Sequence, residues 1–238
     1  MSARAQAADA GAVGVVLDPG HGGSNFGSPG RGEVLEKRVT LALAKAVRQR
    51  LHAAGLVVQL TRTNDAYVPI RARARIANTL RPRCFVSIHA NASAEHTRNG
   101  VETYFLSRDA IDIHARRLAS LAAGDAEAVL ADLRALSIAR AAMRLAESVQ
   151  RAMVAPQDGE LPVTNRGVRQ AAHDVLADAD VPSILVEVGF LDHPVEGRWL
   201  ASSDGQAAVA ARLADGIIAF LHAPPPDLPQ PTRLAARR

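Results

Sequence analysis

The chain has 238 residues, 48% of them hydrophobic and 22% charged, a composition that excludes wholesale disorder and supports one domain with a substantial core. Only 3% of the residues are aromatic, so the core must consist mainly of Ala, Val, Leu and Ile. The net charge of +4 suits an anionic polymer as a partner, but no aromatic RNA-binding motif, zinc finger or recognition helix accompanies it, so we expect no nucleic-acid partner.

The cysteine count and the apolar runs exclude further classes of protein. Cys84 is the single cysteine, which excludes an intramolecular disulfide and a cysteine-based zinc site. No apolar run reaches the ~18 residues that a membrane-spanning helix requires, so we expect no membrane span. Residues 1–12 are predicted to be a flexible segment without the apolar core of a signal peptide, which leaves cytoplasmic and phage origins open.

The first predicted strand leads directly to a histidine. Residues 13–17 form an apolar run rich in β-branched residues, and Asp18-Pro19-Gly20 is a turn signal. His21 follows at once. A buried strand that ends in a glycine-rich loop is a rigid support from which an imidazole can be directed at a ligand.

The next predicted element is a helix from about Glu33 to Ala54, which Gly55 ends. Glu36 lies in its first turn, where acidic residues are common because they favour the positive end of the helix dipole. Taken alone, helix stability is therefore the simpler explanation for Glu36.

A second histidine also follows a buried strand. After a strand at residues 56–61 and an arginine-bearing helix at 69–80, the apolar strand 84–88 leads directly to His89. Open α/β sheets bind ligands at the carboxyl ends of their strands, so two such histidines favour a ligand site. The helix arginines, among them Arg73, are expected on a solvated face, although one of them could contact an anionic substrate.

The remaining predicted elements follow from composition and spacing. They are a strand at 100–106, two Ala-rich helices within 111–153 broken near 124–125, a loop at 154–170, an extended piece near Val175, a strand at 183–190, a short helix to Leu200, a helix at 204–221 and a Pro-rich disordered tail at 223–238.

Glu187 is a carboxylate inside the otherwise apolar strand 183–190. Burying an unpaired carboxylate is costly, so Glu187 requires a partner, a metal or a catalytic role. Catalytic zinc sites use three protein ligands and an open position for water, and His21, Glu36 and His89 supply a suitable donor set. Glu187 would then act as the general base. These residues predict a metal-dependent hydrolase, although their spacing is not a compact motif.

Several separate segments occur in an informative order. They are Leu17-Asp18-Pro19-Gly20-His21-Gly22-Gly23, Leu35-Glu36-Lys37, Thr61-Arg62, Arg73 to Asn78, Ser87-Ile88-His89-Ala90-Asn91 and residues 182–191. Together they resemble the zinc-dependent N-acetylmuramoyl-L-alanine amidases of the third amidase family, over about residues 13–221. The resemblance implies a single α/β domain, residues 13–222, with a twisted, mostly parallel sheet of about six strands flanked by helices.

The resemblance also implies a reaction and a set of roles. The reaction is hydrolysis of the amide between the lactyl group of N-acetylmuramic acid and L-alanine of peptidoglycan. His21, Glu36 and His89 become ligands of Zn²⁺, and Glu187 becomes the catalytic carboxylate. Asn91 and Arg73 are candidate substrate contacts.

Partners and location are expected from the same resemblance. The partner is peptidoglycan, through its stem peptide and muramic acid, with a regulatory activator protein as a further candidate. A monomer is expected, as is a location in the cell envelope, either periplasm or cell wall.

Two departures and two alternatives stay open at this point. His173 stands where many relatives have an aromatic residue, and we expect it to pack rather than to face the groove. Some relatives insert a helix that covers the zinc; residues 124–140 lie where it would fall, and Asp125, Glu127 or Asp132 could reach the metal, although an uninterrupted scaffold helix is favoured. The alternative functions are a zinc peptidase or deacylase with another substrate, and a catalytically silent wall-binding module.

Overall fold

The computed structural model describes residues 12–30, 32, 34–106, 125–156 and 163–223. The predicted flexible segment at 1–12 and the predicted tail at 223–238 lie outside these residues, apart from Ala12 and Ala223. The bounds predicted for the domain therefore stay a prediction.

A six-stranded sheet forms the centre of the structure. Its strands are β1 (Val15–Pro19), β2 (Val58–Leu60), β3 (Cys84–Asn91), β4 (Val101–Leu106), β5 (Asn165–Ala171) and β6 (Ser183–Phe190). The strand order is β2-β1-β3-β6-β4-β5. All neighbouring pairs are parallel except β4 and β6, which are antiparallel. The predicted fold class, a mostly parallel α/β sheet, is confirmed.

Helices cover both faces of the sheet. They are α1 (Glu36–Ala53), α2 (Ile70–Leu80), α3 (Asp125–Met153), α4 (Asp174–Ala177), α5 (Glu196–Ala201) and α6 (Ser203–His222). Helices α1, α3 and α6 contribute to the larger apolar core, whereas α2 and α4 pack on the opposite face in a smaller one. None of the described helices has both the length and the apolar character that crossing a bilayer requires.

The strands separate apolar from polar side chains because successive residues point to opposite faces. In β3, Val86 and Ile88 enter the larger core, while Ser87, His89 and Asn91 point to the opposite face. Asp18 of β1, Glu102 of β4 and Glu187 of β6 lie on that same face, because they alternate with residues of the larger core. This face of the sheet therefore carries the side chains that could bind a metal or transfer a proton.

Two predicted elements are wrong. Residues 154–170 are not all loop, because β5 begins at Asn165, and the segment near Val175 is the helical turn α4 rather than an extended piece. β5 is an edge strand with no buried residue and no apolar alternation, so only its pairing with β4 defines it. The short apolar pair in α4 carries too little periodicity to distinguish a helix from a strand.

Helix α3 is continuous from Asp125 to Met153. This agrees with the favoured scaffold helix for residues 125–140. The predicted break near residue 124, the helix before it and the side chains of Asp125, Glu127 and Asp132 lie outside the described residues.

Candidate metal centre and catalytic carboxylate

The three predicted metal ligands lie together, although they come from three separate elements. Nε2 of His21 is 3.0 Å from Oε2 of Glu36, and Nδ1 of His89 is 3.0 Å from Oε1 of the same carboxylate. Candidate donor atoms of the three side chains all lie within 4.8 Å of one another. Two imidazole nitrogens and a carboxylate oxygen match the donor set of catalytic zinc sites.

His21 is held by the loop that follows β1. Its backbone has φ of 60°, in the left-handed region that non-glycine residues rarely adopt. Nδ1 of His21 is 2.9 Å from Oδ1 of Asn25. If Nδ1 donates to that amide oxygen, Nε2 is left with its lone pair directed towards Glu36, as a metal ligand requires.

The Glu36 carboxylate is fixed from several sides. Its Oε2 accepts a hydrogen bond from the Ser28 amide at 2.7 Å, and its Oε1 accepts one from the Ala90 amide at 3.1 Å. Burial opposes ionisation here, but hydrogen bonds from His21 and His89 outweigh it and hold the pKa of Glu36 far below its ordinary range. The carboxylate therefore serves the cluster, beyond any favourable effect on the helix dipole.

Two glycines make room for the cluster. A Cβ atom at Gly20 would lie 2.5 Å from Cε1 of His89, and one at Gly27 would lie 2.5 Å from Oε2 of Glu36. Both distances are far inside van der Waals contact. The glycine in the Asp-Pro-Gly-His segment is thus required by the close approach of the second imidazole.

A buried ion pair between Asp18 and Arg73 supports the loop that carries His21. Asp18 is fully buried and accepts hydrogen bonds from Ser87 at 2.7 Å and from Arg73 at 2.7 Å. Arg73, only 4% exposed, also donates to the backbone oxygen of His21 at 2.7 Å and to that of Pro19 at 2.8 Å. These contacts favour a positioning role for Arg73, and its predicted contact with substrate stays a prediction.

Glu187 lies beside the cluster on β6. It is the cross-strand partner of His89 on β3 and of Glu102 on β4. Its Oε2 atom is buried and has no hydrogen-bond partner in the described part of the chain. Burial, and then the neighbouring carboxylates of Glu36 and Glu102, raise the pKa of Glu187 well above its ordinary value.

Two recesses lie beside residues of this centre. The first, of about 250 Å³, is lined by both imidazoles and by Tyr67 and His173 among others. The second, of about 300 Å³, is lined in part by Asn91 and Arg166.

His173 takes part in both packing and the groove. Its ring is edge-on to Tyr104, with centroids 4.7 Å apart, and it also lines the first recess. Burial and then the proximity of His89 lower the pKa of His173. The expected packing is present, and the side chain faces the groove as well.

Sequence reasoning missed two groups at the site. Glu102 is a buried carboxylate in β4, and the argument used for Glu187, a charge inside an apolar strand, could have found it. Asn25, which contacts His21, lies in a loop whose composition gives no such signal.

A mostly parallel α/β sheet that presents a His-Glu-His cluster beside an unpartnered carboxylate oxygen is the arrangement of a candidate metal-dependent hydrolase. Comparison with known proteins agrees. The family profile described as N-acetylmuramoyl-L-alanine amidase matches residues 15–219. The amidase AmiA of Escherichia coli strain K12 is 33% identical over 223 residues, covering 87% of this chain and 76% of AmiA.

Solved structures give the same result. The amidase AmiC2 of Nostoc punctiforme is 32% identical with a TM-score of 0.71, covering 89% of this chain and 98% of that one. An N-acetylmuramoyl-L-alanine amidase from Clostridium difficile 630 is 27% identical with a TM-score of 0.70, covering 88% of this chain and 97% of that one. The chain belongs to the N-acetylmuramoyl-L-alanine amidase family, which confirms the family and the hydrolase class predicted from the sequence.

Proposed function

We propose that this enzyme is a zinc-dependent N-acetylmuramoyl-L-alanine amidase in which His21, Glu36 and His89 hold the metal and Glu187 moves the proton. One observation carries the proposal. Three donor side chains from separate elements meet within 4.8 Å of one another, beside a buried carboxylate oxygen that lacks a partner among the described residues.

The donor set fits zinc on chemical grounds. Two neutral imidazoles and one carboxylate supply the borderline nitrogen and oxygen ligands that zinc accepts, and they leave a net positive charge on a divalent cation. The contact between His21 and Asn25 is the kind of outer-shell hydrogen bond that orients a metal-binding imidazole. When bound, zinc supplies Lewis acidity that polarises a carbonyl oxygen and makes water nucleophilic at neutral pH.

Glu187 performs the proton transfers. Its Oε2 accepts a proton from the attacking water and then delivers it to the nitrogen of the departing L-alanine. The raised pKa of Glu187 suits this role, because the group must hold the proton between the two steps. The bond broken is the amide between the lactyl group of N-acetylmuramic acid and L-alanine.

Asn91 is the stronger of the two proposed substrate contacts. It lines the second recess; its Nδ2 donates to Glu102 at 2.9 Å and its Oδ1 accepts from the Ala92 amide at 2.9 Å. One hydrogen of the Asn91 amide group remains for a ligand. Arg73 acts through the loop of His21.

The substrate determines where the enzyme works. Peptidoglycan is a component of the cell envelope, so we place the activity in the periplasm or the cell wall. An activator protein and a monomeric state remain predictions.

Metal analysis combined with digestion of purified sacculi tests the proposal. We expect one zinc per chain and release of intact stem peptides with N-terminal alanine. Cleavage only inside the peptides would instead indicate a zinc peptidase, and wall binding without cleavage by the zinc-loaded protein would indicate a silent module.

A further inference from the structure

The second recess contains a guanidinium group that is fixed in place but uses only part of its hydrogen-bonding capacity. Nε of Arg166 donates to Oε2 of Glu102 at 3.1 Å, and its guanidinium carbon lies 5.1 Å from the centre of the Phe190 ring. Glu102 is buried, and the Arg166 side chain is 22% exposed. Among the described residues, no acceptor binds the Nη atoms of Arg166. The guanidinium is thus anchored along one edge, and its other edge is available to a ligand.

One carboxylate serves two arginines beside this recess. Glu102 is shared by Arg166 and by Arg169, whose Nε lies 3.3 Å from the same carboxylate oxygen. On the exposed rim, Arg98 pairs with Glu95 at 3.6 Å. Among the described residues, Arg166 therefore shares its ion-pair partner with Arg169, while the nearby carboxylate of Glu196 accepts hydrogen bonds from the amides of Phe190 and Gly100. Guanidinium groups bind carboxylates through two parallel hydrogen bonds when an edge is free.

The position of the recess matches the leaving group of the reaction. Asn91 follows His89 by two residues on the same face of β3, a distance of about 7 Å along a strand. A stem peptide that extends from the scissile nitrogen places the substituents of its second residue about 7 Å away as well. Glu187, which delivers the proton to that nitrogen, is the cross-strand partner of Glu102 at the base of the recess. The muramic acid side of the substrate then faces the first recess, where Tyr67 is 53% exposed.

We propose that this recess is a carboxylate subsite, in which the free edge of Arg166 binds the carboxylate of the second residue of the stem peptide. Glu102 is the anchor that orients Arg166, and Phe190 is the surface on which the guanidinium lies. This inference rests on the proposed amidase function and specifies which stem peptides the enzyme prefers.

Two substrates that differ in one group test the subsite. They are N-acetylmuramoyl-L-alanyl-D-glutamate, with a free α-carboxylate, and its α-amide, N-acetylmuramoyl-L-alanyl-D-isoglutamine. For the zinc-loaded parent enzyme we expect kcat/KM to be about tenfold higher for the free acid, expressed mainly in KM, as befits a charge-assisted pair. Equal kcat/KM values for the two substrates would overturn the subsite and leave the amidase function intact.

Variants of two neighbouring arginines locate the effect. We expect Arg166→Gln to reduce the preference to within about twofold, and Arg166→Lys to lose most of it because lysine presents a point charge rather than a fork. The matched control is Arg169→Gln, which removes one positive charge beside Glu102 from outside the recess and is expected to retain the preference. If both Arg166 variants kept the tenfold preference, or if Arg169→Gln abolished it, the subsite would be wrong.

The measurement separates the two proposals. Absence of turnover on both substrates and on sacculi would overturn the amidase function together with the subsite. Inhibition of the parent by the product L-alanyl-D-glutamate, more strongly than by L-alanyl-D-isoglutamine, is the expected result of a further test that needs no variant.

Discussion

Glu187 on β6 and Glu102 on β4 are cross-strand partners with opposite environments. Glu102 is compensated by Asn91, Arg166 and Arg169, whereas Oε2 of Glu187 has no partner in the part of the chain that is described. The charge on Glu102 helps to raise the pKa of Glu187. We propose that these two adjacent carboxylates serve two tasks, one to hold an arginine and one to carry a proton.

The proton-transfer role predicts the effect of Glu187→Gln. The amide is nearly the same size but cannot accept and release a proton, so we expect kcat to fall by a factor of about 10²–10⁴. Zinc content, measured by elemental analysis, should stay at the parent value. The control is Glu147→Gln, an exposed carboxylate on α3. Hydrolysis of sacculi by Glu187→Gln at the parent rate would remove Glu187 from the mechanism.

The ligand set predicts which histidines the metal needs. We expect His89→Ala to bind zinc far more weakly, because it removes one of three ligands and the imidazole next to Oε1 of Glu36. His52→Ala, an exposed histidine on α1, should bind zinc like the parent. Equal zinc stoichiometry in all three proteins after dialysis against a weak chelator would contradict the assigned ligands.

Close packing at the centre predicts that adding a single methyl group at Gly20 lowers activity. Gly20→Ala places its Cβ against the His89 ring, so the imidazole must move, and we expect activity to fall at least tenfold. Gly14→Ala is the matched control, since its Cβ would meet only ordinary contacts at 3.5 and 3.7 Å. Circular dichroism should show both variants folded, and similar rates for the two would refute the steric argument.

Burial of Glu196, a carboxyl group outside the proposed metal centre, predicts a pH effect on stability. Burial raises the pKa of Glu196 above its ordinary value of 4.5, although the amides of Phe190 and Gly100 oppose the shift by donating to it. A carboxyl group with a raised folded pKa stabilises the fold below its unfolded pKa, and this contribution is lost as pH rises through the folded pKa. We therefore expect Glu196→Gln to gain stability relative to the parent as pH rises above 4.5, measured by urea unfolding. A pH-independent difference would contradict this.

The sequence predicted the parts of the site that depend on local signals. Strand β3 and the positions of His21 and His89 follow from local signals. Apolar runs indicate buried strands, and turn residues indicate where a strand ends. Strand β5 and the contact between His21 and Asn25 depend on pairing between distant segments, which periodicity does not contain. The hydrogen bond between Arg166 and Glu102 also joins distant segments, so the sequence alone does not predict the second recess.

The surroundings of His173 predict that replacing it raises stability and lowers activity. Its Nε2 atom is buried without a hydrogen-bond partner among the described residues, while its ring packs edge-on against Tyr104. Phenylalanine preserves the ring contact and removes the unpaired atom, so we expect His173→Phe to raise the free energy of unfolding by about 1 kcal/mol. Because the His173 side chain also lines the recess shared with both imidazoles, we expect kcat/KM on muropeptides to fall about threefold. Thermal unfolding and steady-state kinetics measure the two effects. A less stable variant would contradict the argument from the unpaired nitrogen. A more stable variant with unchanged kcat/KM would show that His173 serves packing alone.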